Sequence, residues 1–591
     1  MITTHRLPEQ AFRSLASGGG DPDVIRCLLA AQLSKQIMLL HAIAKAAGDS
    51  DPMDPGVMAF TAAYKLLAEV QTARQDSFAW LLGLPHISAW AHDCLIRLNR
   101  GMPPDYGYLA AAASAAAVRA GIRFELDVPV HDHLVPLPGL GRFCVPDQVS
   151  WVRVDGDNEF LTVGAHVKAP RAAVVPDDGL VRRIPHWQGT ALARVAADGH
   201  SWDVLLETSD RYLDRFTLAI SPDLTPDEAV IWRRCVQSAW QILVRYHKWA
   251  AGPIAAGVSV IVPLTPRGGN ALDSATTPAA FGAIATSPPP NPVILAETLV
   301  HEFQHLKLCG LMDMTPLIEP CDQMVYAAWR PDPRPAGGLL QGVYAHLGVA
   351  RFWSIQRQVE TKPDSVFRAQ VTYERWRRTI EPSTRTLLGA GCLTTAGTRL
   401  VAALRDEGRS LAAEPVPADA TAVADELALD HQLTWQLRHS ATEDAAAAAL
   451  AAAFQRGEPF GDQRLPDTRV DEETRKVVST VRSGLLSLRY LDPGRYREVC
   501  DTGMRGPNDT ADSHLMRGET PEAVRAYRDE IAATTEGQPE AWIGLALALH
   551  RLKQAPWQSL ATHLPLIFDV HACLSRAGVS CDPLELAAWF T

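Results

Sequence analysis

The sequence predicts a predominantly helical α+β protein, with a β-rich segment next to a histidine-bearing helix and a helical C-terminal region. Three textures along the 591 residues carry that expectation. Up to residue 122 the chain is filled by helical apolar spacing or alanine-rich runs. Short alternating apolar runs cut by Pro, Gly and Asp follow over 123–220. Helical spacing then returns and persists through the C-terminal third. A chain this long outgrows a single core, so several regions are expected: helical over 1–122, α+β over 123–400 and helical over 401–591.

In chain order, "DVIRCLLAAQLSKQIMLLHAIAKAAG" and "YLAAAASAAAVRAG" read as helices. "FELDVPV", "WVRVDG", "EFLTVGAHV" and "SWDVLLETSD" read as strands. "DEAVIWRRCVQSAWQILVRYHKWAAG" has an acidic start and a glycine stop, the punctuation of a helix. "GVSVIVPLTP" predicts one buried strand, "SATTPAAFGAIATSPPPNP" a small-residue loop, and a further helix begins near Pro292. The run over 412–424, with two prolines, predicts a linker. "GETPEAVRAYRDEIAATTEGQPEAWIGLALALHRL" resembles a single tetratricopeptide-like helix pair, though with no second copy an ordinary antiparallel pair fits it equally well.

Composition narrows the function classes. Hydrophobic residues at 47% and charged residues at 21% match a folded, enzyme-like chain rather than a disordered one. The net charge of -11 and the lack of a dense basic run argue against nucleic acid as a main partner. No window approaches the ~18 uninterrupted apolar residues of a membrane span, and the N-terminus lacks a charged-then-apolar export pattern. No membrane partner and a cytoplasmic location are therefore expected. The ten cysteines show neither a C-x-x-C pair nor a three-cysteine iron–sulfur spacing, so reduced thiols are expected.

Chemistry concentrates in "LVHEFQHLKLCG", residues 299–310. Helical residues four apart project within about 40° of each other, so His301 and His305 can aim two imidazoles at one metal ion. Glu302 lies about 100° round from His301 and reaches a metal-bound water more easily than the ion. The longer peptidase pattern needs glycine at 308 and histidine at 311, but Leu308 and Leu311 stand there. A third ligand is needed, and Glu319 or Glu360 could be proposed. His346, in "GLLQGVYAHLGVARFW", is the more suggestive candidate, against the alternative of a hydrogen-bonded core histidine. Between the two helices lie Tyr326, Trp329, Arg330, Asp332, Arg334 and Tyr344. Guanidinium groups bind carboxylates through paired hydrogen bonds, so arginines near an open metal site suggest a carboxylate co-substrate; ion pairing of Arg330 and Arg334 with Asp332 is the competing reading.

The runs "GAIATSPPPNPVILAETLVHEFQHLKLCGLMDM", "YAAWRPDPRP" and "LLQGVYAHLGVARFW" resemble the HExxH-type peptide β-hydroxylases, iron- and 2-oxoglutarate-dependent enzymes of ribosomal peptide natural-product pathways. The likeness covers roughly residues 123–360. It implies Fe(II) on His301 and His305 with His346 as third ligand, while Glu302 could itself enter the coordination shell. It also implies that Arg330 or Arg334, beside Tyr344, binds 2-oxoglutarate, and that a precursor peptide is the substrate. Some relatives are fused to a radical-SAM domain; this chain lacks that domain's cysteines, so a separate radical-SAM enzyme of the same pathway becomes a candidate partner. The alternative expectation is a zinc metallopeptidase with Glu302 as general base.

Overall fold

The computed structural model describes residues 5–145, 148–164, 167–174, 183–213, 218–221, 224–267, 272–462, 469–470, 474–478, 481–503, 510–534 and 538–591. The fold is mainly helical α+β. The chain divides into two compact units, Met1–Pro316 and Leu317–Thr591. This division falls inside the stretch 123–400 that sequence texture groups together. Residue 122 separates elements that share a core, because the helix Tyr108–Ala120 packs on the strand Phe124–Pro129; residue 400 lies within the helix Thr395–Ala412.

In the first unit, the helices Pro22–Gly48 and Pro55–Ala73 begin on a shared device. Proline fills the first turn, where no amide partner is needed, and the carboxylates of Asp21 and Asp54 accept the amides of Val24 and Val57. The helix Pro22–Gly48 is long and apolar enough to cross a membrane by length and composition. It packs against helices Pro85–Asn99, Lys248–Gly257 and Pro292–Met314. The alanine helix Tyr108–Ala120 is buried on nearly every face and stops at Gly121, whose φ of 68° suits glycine.

Most of the strands expected over 123–220 form, in two four-stranded antiparallel sheets and part of a third, five-stranded one. Across that third sheet the strands run Ser274–Ala275, Ala283–Thr286, Val260–Pro263, His200–Leu206 and Ala191–Ala197. Val260–Pro263 and Ala283–Thr286 pair in parallel and are buried throughout, which explains their unbroken apolar runs. The helix Pro292–Met314 follows directly, its first turn capped by Asn291. Gly257 permits the close approach of Lys248–Gly257 to this helix: a Cβ there would lie 2.5 Å from the Phe303 ring.

The second unit is a helical assembly. The helix Pro363–Gly389 packs against Ala336–Val359, Thr395–Ala412 and Ala418–His439. The linker expected over 412–424 shrinks to the segment between Ala412 and Ala418, because alanine-rich sequence resumes helix directly after Pro417. The tetratricopeptide-like segment forms helices Thr520–Ala532 and Pro539–Leu552; residues 535–537 of its turn lie outside the described residues. Every residue from Ala541 to Leu549 is buried, enclosed by Thr520–Ala532, Ala418–His439 and Trp557–Arg576. This is the packing of a bundle's central helix.

Candidate metal centre

His301 and His305 lie one turn apart on the helix Pro292–Met314. Their Nε2 atoms are 3.2 Å apart and their rings meet edge to face. Two imidazoles bound to one ion at about 2.05 Å, with an angle near 100°, have nitrogens separated by about this distance. The pair therefore fits a chelating half-site without rotamer change. The helix itself is fixed from behind. Lys307 Nζ donates to the Gly18 and Gly19 carbonyls at 2.9 and 2.6 Å, and Asp313 accepts from Gln32 and Lys35 at 2.8 Å each.

Glu302 is buried, with Oε1 3.9 Å from His301 Nε2. Ser274 Oγ donates to it at 2.7 Å, and Thr276 adds a second hydroxyl bond. Burial pushes the Glu302 carboxyl above its ordinary range, opposed by His305 and by the two hydroxyls. Ser274 belongs to the short edge strand of the five-stranded sheet, so Glu302 ties that strand to the histidine helix. Neither residue is legible as a site residue in the sequence, because "SATTP" carries only the signature of a loop. The hydroxyl at alternate positions, 274 and 276, is the period-two signal that could have exposed a strand facing the helix.

The remaining expected site residues belong to the second unit. His346 lies in the helix Ala336–Val359; its Nδ1 donates to the Gly342 carbonyl at 2.9 Å. A backbone carbonyl on the opposite nitrogen is the usual support for a metal-binding imidazole. The ring is stacked on Trp329 at 4.6 Å and tilted against Trp376 at 4.4 Å. Gly342 makes room for this stack, since a Cβ there would lie 2.2 Å from Trp329.

Arg330 and Arg334 both pair with Asp332, at 3.0 and 3.1 Å; Arg330 is exposed and Arg334 half-buried. Burial works to raise the Asp332 carboxyl, but the bonds and charge of these arginines hold it below its ordinary range. Tyr344 is fully buried, which pushes its phenol upward. The segment carrying the arginines is pinned by residues the sequence reading did not select. Tyr326 Oη meets His431 Nδ1 at 2.9 Å, and His439 Nε2 donates to the Pro331 carbonyl at 2.7 Å. Burial, with Arg375 nearby, pushes the His431 pKa down to about 4, so the ring is neutral and accepts from the phenol.

Among the described residues, no group of three His, Cys, Asp or Glu side chains is gathered as a metal shell. His301 and His305 come together, with Glu302 beside them; Arg330 and Arg334 come together on Asp332. Of the carboxylates considered as third ligands, Glu360 instead accepts from Gln356 at 2.8 Å. No protein-family model matches this chain, and no curated protein matches it.

Proposed function

We propose that the chain is an iron(II)- and 2-oxoglutarate-dependent enzyme that hydroxylates the β-carbon of a residue in a ribosomally made precursor peptide. The observation that supports a metal is the 3.2 Å separation of the two Nε2 atoms. The choice of reaction rests on the resemblance of the motifs between residues 282 and 353 to the peptide β-hydroxylases. His301 and His305 would hold the iron, and His346 is the third ligand that the resemblance implies. When bound, iron(II) and 2-oxoglutarate supply the oxidising power that exchanges a C–H bond for C–OH, with O₂ as oxygen source.

The chain's own residues have definable tasks in this reading. Arg330 or Arg334 grips the distal carboxylate of 2-oxoglutarate by exchanging Asp332 for it, a swap of like partners. Ser274 and Thr276 hold Glu302 in one orientation beside His301, and Gly342 fixes the His346 tautomer. A second reading, zinc-dependent peptide hydrolysis, is favoured by one observation: the buried Glu302 carboxyl, with raised proton affinity and 3.9 Å from His301 Nε2, has the properties a general base would need.

The test is incubation with iron(II), ascorbate and the peptide encoded by a short reading frame adjoining the gene. Succinate formed in step with hydroxylated peptide supports the proposal. Peptide cleaved with zinc and without 2-oxoglutarate overturns it.

A further inference from the structure

In the second unit, the residues that follow Pro316 run antiparallel to those after the helix Pro363–Gly389. Ile318 and Leu393 form a bridge; Glu319 N donates to the Cys392 carbonyl at 2.8 Å, and Thr394 N to the Leu317 carbonyl at 3.1 Å. This pairing sets Cys392 opposite Glu319, two residues from Cys321, and the Cys392 thiol lies within interaction range of the Cys321 sulfur; burial and this neighbour push it upward. Other buried thiols behave differently: those of Cys94 and Cys500 point at the backbone carbonyls of Asp105 and Met516. Cys392 is buried, whereas Cys321 is partly exposed. One thiol of the pair is thus open to a small oxidant and the other is held against it.

We propose that Cys321 and Cys392 are a reversible disulfide site, formed by hydrogen peroxide through oxidation of Cys321 and resolution by Cys392. The Cys321 thiolate attacks one peroxide oxygen and breaks the O–O bond; the other oxygen leaves as hydroxide and takes up a proton, giving water and a sulfenic acid. The Cys392 sulfur then attacks the Cys321 sulfur, forming the S–S bond and expelling the hydroxyl, which leaves as a second water with the Cys392 proton. Two thiols are oxidised by two electrons and one peroxide is reduced to two waters. A thiol reductant reverses the change.

The position gives the bond a consequence. Cys321 opens the segment that leads to Tyr326, Trp329, Arg330 and Arg334, which is otherwise anchored through His431 and His439. Cys392 closes the stretch that carries Trp376, the other aromatic partner of His346. The disulfide adds a third anchor to the arginine-bearing segment and closes a loop containing the helices Ala336–Val359 and Pro363–Gly389. The inference stands on the thiol pair and does not depend on the hydroxylase reading.

The experiment uses the full chain with stoichiometric hydrogen peroxide, followed by alkylation and unreduced peptide mapping by mass spectrometry. Alkylatable thiols of the denatured protein should fall by two from ten, with a Cys321–Cys392 crosslinked peptide that dithiothreitol removes. In Cys392→Ser the resolving thiol is absent, so a dimedone adduct should accumulate on Cys321; in Cys321→Ser both signals should vanish. Amide exchange across 322–335 should slow on oxidation of the wild type and stay unchanged in either serine variant. Both cysteines alkylated separately after peroxide, or equal dimedone labelling of Cys321 in wild type and Cys392→Ser, would overturn the proposal.

Discussion

Replacing His301 or His305 by alanine removes one end of the 3.2 Å chord on which metal binding depends. A ligand present at a hundredfold excess over its Kd stabilises the folded state by about 2.7 kcal/mol. If that stabilisation is felt by the first unit, Met1–Pro316, the unfolding entropy of ~2.1 cal/mol/K per residue amounts to roughly 0.7 kcal/mol/K. The expected metal-induced rise in Tm is therefore about 4 °C. With one imidazole gone the chelate is lost and the same metal concentration falls below Kd, so the rise should shrink below about 1 °C. The fold should survive, because the helix is held through Lys307 and Asp313 rather than through the histidines. Scanning calorimetry under anaerobic iron(II), with cobalt(II) and zinc(II) as comparators, measures this, and elemental analysis gives the metal content. A rise of about 4 °C in both variants, with unchanged metal content, would refute the chelating pair.

Three further outcomes are expected. Gly544→Ala places a Cβ 2.1 Å from the Tyr527 ring inside the central helix of the second unit, and overpacking of this kind costs about 1–3 kcal/mol; an unchanged urea midpoint would contradict it. The buried pair of Glu207 and His86 should give the first unit a pH window. Burial works against the charge on Glu207, but His86 and Ser209 hold its pKa down to about 2, so its stabilisation is present above the ordinary value of 4.5 and lost as pH falls through about 2. Burial also opposes charge on His86, yet Glu207 raises it, so its contribution is full below 6.5 and lost as pH climbs through the raised value. Melting curves across pH should flatten on both arms in Glu207→Gln. Asp332→Asn should lower the 2-oxoglutarate concentration needed for turnover, because it releases the guanidiniums of Arg330 and Arg334. Arg334→Leu should raise it by about tenfold to a hundredfold, one charge-assisted pair being worth about 1.5–3 kcal/mol; equal KM in all variants would remove the arginines from the site.

The parts of the fold governed by local periodicity were legible in the sequence. The helix from Pro292 starts where proline and asparagine mark it, and the strand over Val260–Pro263 is buried as its unbroken apolar run implies. The division at Pro316 was not legible, because Pro316 and Pro320 stand singly after Met314 and the denser run of Pro, Gly and charge begins only at Arg330. The prolines at 415 and 417 misled in the opposite sense: they interrupt helix for a few residues, and alanine-rich sequence restores it at once. At the site, the four-residue histidine spacing was readable because helical geometry alone brings the rings together. Ser274 and Thr276 on Glu302, and His431 under Tyr326, come from contacts distant in sequence, which single-residue chemistry does not reveal. The competing reading of Arg330 and Arg334, pairing with Asp332, is what these residues adopt; the dicarboxylate role requires that pairing to be exchanged.

The central proposal is that oxygen from O₂ is placed on a peptide carbon, and isotope labelling separates it from hydrolysis most directly. The enzyme is supplied with iron(II), 2-oxoglutarate, ascorbate and the precursor peptide under heavy-isotope oxygen gas in ordinary water, and the product is fragmented to locate the label. The account predicts an uncleaved peptide carrying one heavy oxygen on the β-carbon of a single residue, abolished in His301→Ala and without 2-oxoglutarate. Cleaved peptide whose new carboxyl oxygen comes from water, with no heavy oxygen taken up, would contradict it and assign the site to hydrolysis with Glu302 as base.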